Sequence, residues 1–248
     1  MTQLHILSGG AAFGLVSQLE AQFKVGSGCT LAGTYSAVGV MRDQLLAGAP
    51  CDVVILSAAL IAQLEASGHV VAGSARALGK VRTGIAVKAG SPQPKVGTPD
   101  ELKAALLEAS GLYFPDPIKA TAGIHFMNVM KLLGIDGDVV HKLRPYPNGA
   151  TAMAEMAKCA EPGVIGCTQV TEISYTAGVN LIAVLPKEFE LATVYTAAVS
   201  SQAANPAQAA ALVALLSSSD AAALRLAGGF EGRQSPCPTL GERRGTYL

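Results

Sequence analysis

The 248 residues are 50% hydrophobic and 15% charged, and 18 basic residues balance 18 acidic ones to a net charge of zero. That composition excludes a disordered chain, a nucleic-acid binder and a polybasic membrane anchor. With no Trp and 5% aromatics there is no stacking platform for sugars or bases, and the length allows one large domain or two small ones.

In chain order, strand-like and helical runs alternate. Leu4–Leu7 reads as a strand that ends in Ser8-Gly9-Gly10. A helix over Ala11–Lys24 follows, with Leu15, Leu19 and Phe23 on one stripe. Thr30–Thr34 is a strand and Gly39–Ala47 a helix. The turn Gly48-Ala49-Pro50 leads into the strand Asp52–Leu56 and the helix Ala58–Ser67. Val81–Val87 is the next strand. Thr98-Pro99-Asp100-Glu101 is a helix start, with Thr as N-cap, Pro at the first helical position and Glu closing a capping box. Leu112–Phe114 (strand), Ala122–Leu133 (helix), Thr151–Lys158 (helix) and Val164–Cys167 (strand) come next. Asn180–Val184 and Thr193–Val199 are strands, Asn205-Pro206 opens a helix to Leu216, and Asp220–Leu226 continues helically. Glu231–Leu248 has no periodicity and reads as a tail that frays. The alternation predicts an α/β fold with mostly parallel sheets. In such sheets ligands sit beyond the carboxyl ends of the strands.

No apolar stretch reaches the length of a transmembrane helix. The start has no basic region of the signal-peptide kind, since Lys24 and Arg42 are its first cations. The chain therefore reads as cytoplasmic as it stands, or as periplasmic if a signal has been removed and replaced by Met1. Five cysteines (Cys29, Cys51, Cys159, Cys167, Cys237) without a CxxC pair read as free thiols, not as a disulfide framework or zinc site. His5, His69, His125 and His141 are scattered. No metal and no cofactor are expected, because no dinucleotide fingerprint, P-loop, nucleophile elbow or HExxH motif is present.

Four junctions share one chemistry: Ser8-Gly9-Gly10-Ala11, Thr34-Tyr35-Ser36-Ala37-Val38-Gly39, Lys119-Ala120-Thr121-Ala122-Gly123 and Asn148-Gly149-Ala150-Thr151. Each puts small residues and hydroxyls directly before a helical run. Small residues let a ligand approach the backbone, and the first-turn amides, at the positive end of the helix dipole, point at it. One such junction is an ordinary N-cap; four in one α/β chain point to a shared anion site. His125 and Lys119 lie beside the third junction. A packed histidine and a solvated lysine are their bland readings.

The stretches LSGGAAFGLVSQLEAQF, QLLAGAPCDVVIL, LYFPDPIKATAGIHFMNVMKLLGI and GVIGCTQVTEI carry a family pattern in order and spacing. The chain resembles the type II periplasmic binding proteins, in particular the molybdate-binding proteins of ABC importers, over nearly all its length to about Phe230. The Q-V-T-E-I element looks like a branch that also includes an aconitate isomerase. The resemblance implies two α/β lobes with a ligand cleft between them. Crossings would lie near Val87–Gly90 and Thr193–Ser200, lobe 1 would be 1–86 plus 196–248, and lobe 2 would be 87–195. It places ligand contacts at Ser8, Gly9, Gly10, Ala11, Tyr35, Ser36, Val38, Gly39, Thr121, Ala122, Gly149, Thr151 and Gln169.

The family's oxyanion serines fall on Ala11 and near Val38-Gly39, and its tyrosine near Gln169. The backbone donors are therefore retained and the hydroxyl donors lost, which favours a small organic carboxylate or another oxyanion over molybdate. Two functions follow. One is a solute-binding protein with a small anionic ligand, served by an ABC permease if the chain is exported. The other is an isomerase or tautomerase of unsaturated di- or tricarboxylates on the same scaffold, with Tyr35, His125, Lys119 and Glu172 as candidate bases. The effector half of a transcription regulator, which shares this fold, is a third reading and the least expected, because the chain as given opens directly on the first lobe strand with no room for a helix-turn-helix. No nucleic-acid partner and no membrane insertion are expected.

Overall fold

The computed structural model describes residues 2–232. β1 (Gln3–Gly9), β2 (Thr30–Ser36) and β3 (Val53–Ser57) pair in parallel in the order β2-β1-β3. The connecting helices are α1 (Phe13–Ser27), α2 (Val38–Leu46) and, after β3, α3 (Ala58–Ala66). A 3-10 turn, Gly10–Ala12, replaces the expected first turn of α1. Leu15, Leu19 and Phe23 form the buried stripe of α1, and the helix ends at Gly28, whose φ of +70° is cheap only for glycine.

β4 (Arg76–Lys88) is longer than expected and belongs to both halves of the molecule. Arg76–Arg82 pair antiparallel with β9 (Ala192–Val199), which also pairs antiparallel with β3. Thr83–Lys88 lie between β7 (Ile165–Gln169) and β8 (Val179–Val184), again antiparallel. β5 (Leu112–Pro115) pairs in parallel with β7 and with β6 (Leu143–Tyr146). Parallel pairing therefore holds inside each lobe's βα units, and the strands that join the lobes run antiparallel. Along β4 the pairing partner changes from β9 to β7 and β8 between Arg82 and Thr83.

α4 (Pro99–Glu108) begins as its sequence requires. The Thr98 hydroxyl accepts the Glu101 amide at 3.3 Å, and the Glu101 carboxylate accepts the Thr98 amide at 3.2 Å. Thr98→Ala is expected to lower stability by about 1 kcal/mol in urea denaturation. No measurable loss would mean that the box does not hold this helix.

α5 (Thr121–Leu132) and α6 (Gly149–Lys158) follow β5 and β6, and the six-residue α7 (Val170–Tyr175) follows β7 directly. Neither α7 nor β6 is expected from the sequence. α7 is too short to show a helical period, and Pro145 masks β6, which pairs only along one side. α8 (Pro206–Ser217) and α9 (Ala222–Ala227) complete the helices.

One core, around Leu4, Ile6, Met41, Ile55 and Leu212, fills the first lobe; another, around Ile85, Leu102, Phe114 and Phe126, fills the second. The buried Asp52 carboxylate accepts the His5 amide (2.8 Å) and the Asn205 amide (3.0 Å), tying β1 to the start of α8.

The C-terminal reading needs correction. Phe230, just before the expected tail, is buried against Tyr195, and Glu231, its first residue, exchanges both backbone bonds with Lys80 (2.9 and 2.7 Å), so the chain is docked at that one position where fraying was expected. The rest of the expected tail, with Cys237, lies outside the described residues. Cys29, Cys51 and Cys167 are free and buried, and Cys159 is free and partly buried. Burial pushes the Cys51 thiol up to about 12, so it stays protonated.

Candidate functional site

β2, β5 and β7 end at Ser36, Pro115 and Gln169, and all three ends open on one small cavity of about 20 Å³ between the lobes, which must part to admit more than a water molecule. Gly10 of the 3-10 turn, Ser36-Ala37-Val38 before and into α2, Ala120-Thr121-Ala122 at the start of α5, and Asn148-Gly149 at the start of α6 line it. Gln169, Glu172 and Tyr195 complete the wall. All four small-residue junctions reach this cavity. Among the described residues no lysine or arginine lines it.

Gly123 makes the approach of α5 possible. A Cβ there would overlap the carbonyl oxygens of Pro115 and Asp116, so only glycine lets the helix start this close to the end of β5. Val38 and Ala122 are in the first turns of α2 and α5, where amides have no partner inside the helix.

The junctions are not equivalent. The Gly39 amide donates to the Lys119 carbonyl at 3.1 Å across the cleft. The Thr151 amide donates to the Asn148 side chain at 2.8 Å. At the start of α6 stands the carboxyl of Glu172, only 5% exposed, whose oxygens crowd the positions a Cβ of Gly149 or Gly10 would take. The protein's own carboxyl thus occupies the positive end of α6. The Thr168 hydroxyl donates to it at 2.5 Å. Burial pushes Glu172 up to about 7, against the opposing pull of Thr168 and the nearby amides of Ala150, Gln169 and Gly149. Burial, and then the charge of Glu172, also hold the Tyr195 and Tyr175 hydroxyls well above the ordinary tyrosine range.

Gln169 is the unpaired group of the site. It is 2% exposed, and neither its side-chain oxygen nor its nitrogen has a partner among the described residues. A buried polar group without a partner in a native structure calls for an explanation, and a missing ligand is one.

Several expected residues lie elsewhere. The Ser8 hydroxyl turns back to the Gly9 carbonyl at 2.8 Å and is fully buried. Gly9 is packed under Val38 and Tyr195, and Ala11 faces a separate hollow beside α7 and Phe230. Tyr35 and Thr151 line an adjoining outer hollow with Phe13 and Tyr175, where the Phe13 and Tyr35 rings meet edge-on at 5.0 Å. Burial pushes the Tyr35 hydroxyl up to about 12. His125 bonds the Phe189 carbonyl at 2.8 Å, and Lys119 pairs with Asp43 at 2.9 Å; neither lines the inner cavity. Of the four candidate bases, only Glu172 does. Tyr195 and Asn148 were not singled out as ligand contacts. Asn148 carried an N-cap signal, whereas nothing in the sequence marks Tyr195.

The lobes touch across the cleft. Besides the Gly39–Lys119 bond and the Lys119–Asp43 pair, the Tyr175 hydroxyl donates to the Gly10 carbonyl at 3.0 Å, and the Phe13 and Tyr175 rings stand 5.2 Å apart.

A family model described as bacterial extracellular solute-binding protein matches residues 4–231. A curated aconitate isomerase from a Pseudomonas species is 26% identical over 230 residues, covering 90% of this chain and 85% of that protein. The periplasmic molybdate-binding protein of Azotobacter vinelandii superposes with a TM-score of 0.76 at 18% identity, over 92% of this chain and 98% of that one. The sulfate-binding protein SubI of Mycobacterium tuberculosis gives a TM-score of 0.73 at 18% identity, over 94% of this chain and 88% of its own. At those identities the two structures speak for the fold. No helix among the described residues is long and apolar enough to cross a membrane.

Proposed function

Because the chain belongs to the bacterial extracellular solute-binding protein family, we propose that it binds a small organic anion in the cavity between its lobes. The anion's carboxylate would sit on the first-turn amides of α2 and α5, at Val38 and Ala122, with the Ser36 and Thr121 hydroxyls beside them. Such amides supply partial positive charge without a formal cation. The observation that carries this reading is Gln169, buried on the cavity wall with both polar ends unpaired. The family's extracellular description favours export over a cytoplasmic site of action, and the permease of an ABC importer is then the partner.

Isothermal titration with molybdate, sulfate and a panel of carboxylates tests the reading. We expect at least one carboxylate to bind below about 0.1 mM. If no anion binds with a dissociation constant under about 1 mM, roughly −4 kcal/mol, the reading fails.

One observation favours a second activity on the same scaffold. Glu172 lines the cavity with its carboxyl near 7, where it exchanges protons readily at neutral pH. The 26% identical relative is an aconitate isomerase. On this reading Glu172 takes a proton from a carbon of an unsaturated carboxylate, the helix amides stabilise the delocalised anion, and the same carboxyl returns the proton to another carbon of the allylic system. No cofactor is needed for that balance.

A further inference from the structure

We infer that the preferred ligand is a hydroxycarboxylate, because the cavity is lined by a set of hydrogen-bond donors and by a pair of side chains that also demands a donor from the ligand. The inference rests on the anion-binding reading and not on the proton-transfer one.

The donor wall is the start of α2 and of α5, with Val38, Ala122 and the hydroxyls of Ser36 and Thr121. It matches the acceptor oxygens of a carboxylate. The other wall is Gln169 and Glu172. A glutamine side chain presents an amide nitrogen that donates and a carbonyl oxygen that accepts. In Gln169 both are buried and unpaired. Whichever way round the amide sits, one end still requires a donor from the ligand. The Glu172 carboxyl beside it accepts as well when ionised, and its one side-chain partner is Thr168.

A fully ionised tetrahedral oxyanion offers acceptors only. It would bring negative oxygens against the Gln169 carbonyl and the Glu172 carboxyl, in a cavity that no lysine or arginine among the described residues lines. The nearby Lys119 is drawn outward to Asp43. A hydroxyl on a carbon next to the carboxylate reverses that clash, since its proton can point at Gln169 or Glu172 while its oxygen accepts the Gln169 amide. Sites built around a ligand hydroxyl discriminate strongly against analogues that lack it, because the polar groups of the site are then left unpaired.

The test is isothermal titration of the whole chain at pH 8, where Glu172 is mostly ionised, with matched pairs: lactate against propionate, malate against succinate, citrate against tricarballylate. Sulfate and molybdate complete the series. The tightest hydroxy acid is expected to bind about 100-fold more strongly than its deoxy partner and than either oxyanion. In Gln169→Leu the ratio within that pair should fall below about threefold. The inference is overturned if a deoxy acid, sulfate or molybdate binds as tightly as the best hydroxy acid, or if Gln169→Leu keeps the full preference. If nothing in the series binds, the anion-binding reading itself falls, and that outcome is distinct from a loss of selectivity.

Discussion

Glu172→Gln is expected to lower proton exchange into a bound unsaturated carboxylate by about 1,000-fold while leaving the fold intact, the range typical of removing a positioned general base. Gln keeps the length and one acceptor oxygen for Thr168 and the amides at the start of α6, so the cavity retains its shape. What it loses is the exchangeable proton. The measurement is deuterium incorporation into cis- and trans-aconitate followed by NMR. In the wild type the rate should rise with pH through about 7 and then level, as the carboxyl becomes the active base. Equal exchange in wild type and variant, or a pH profile without that limb, removes Glu172 from the chemistry.

The same substitution has a thermodynamic signature that a purely structural role for a neutral side chain would not give. The folded-state value of Glu172 is raised from 4.5 to about 7. Its contribution to stability is therefore complete below pH 4.5, where the carboxyl is protonated folded or unfolded, and is lost as pH rises through 7. Relative to Glu172→Gln, the wild type should lose on the order of 3 kcal/mol between pH 4 and pH 8.

Gly123→Ala should cost about 3 kcal/mol or more and should weaken ligand binding along with stability. The added methyl would meet the carbonyls of Pro115 and Asp116, which are backbone atoms at the end of β5 and cannot swing aside as a side chain does. α5 must then back away, taking with it the first-turn amides of Thr121 and Ala122 that line the cavity. Urea denaturation and titration of the same sample read both effects. An alanine variant as stable as wild type would show that α5 does not depend on this close approach.

Much of the architecture is legible in the chain because its local signals agree with its packing. The stripe of Leu15, Leu19 and Phe23, the Thr98–Glu101 box and the Asn205-Pro206 start all predict elements found in place. Besides α7 and β6, β4 departs from the expectation, because nothing local tells a strand that its two halves answer to different sheets. At the site, small residues before helices announce which backbone segments converge. They do not announce which amides are already engaged. The Gly39 amide is taken by Lys119, a partner remote in sequence and close only when the lobes meet. Ser8 looks like a ligand hydroxyl until β1 is seen to carry it into the interior, where its own backbone is the nearest acceptor. Glu172 sits on a helix too short to be read in advance, and its importance comes from burial, which a single sequence does not display.

β4 acts as a ruler common to both halves of the molecule. Register shifts interrupt it at Ala77/Gly79 and at Ile85/Ala86, and between them its side chains alternate between faces, so inserting or deleting one residue in that run would invert which of them point inward unless a further bulge absorbs the change. Within that run Val81 is committed to one core and Ile85 to the other. An indel near Arg82 would therefore leave one half correctly phased and turn the other inside out. Length variation in this molecule is carried most cheaply by its loops, and the spacing between the two cores is set by the short regular run of β4 between its two register shifts.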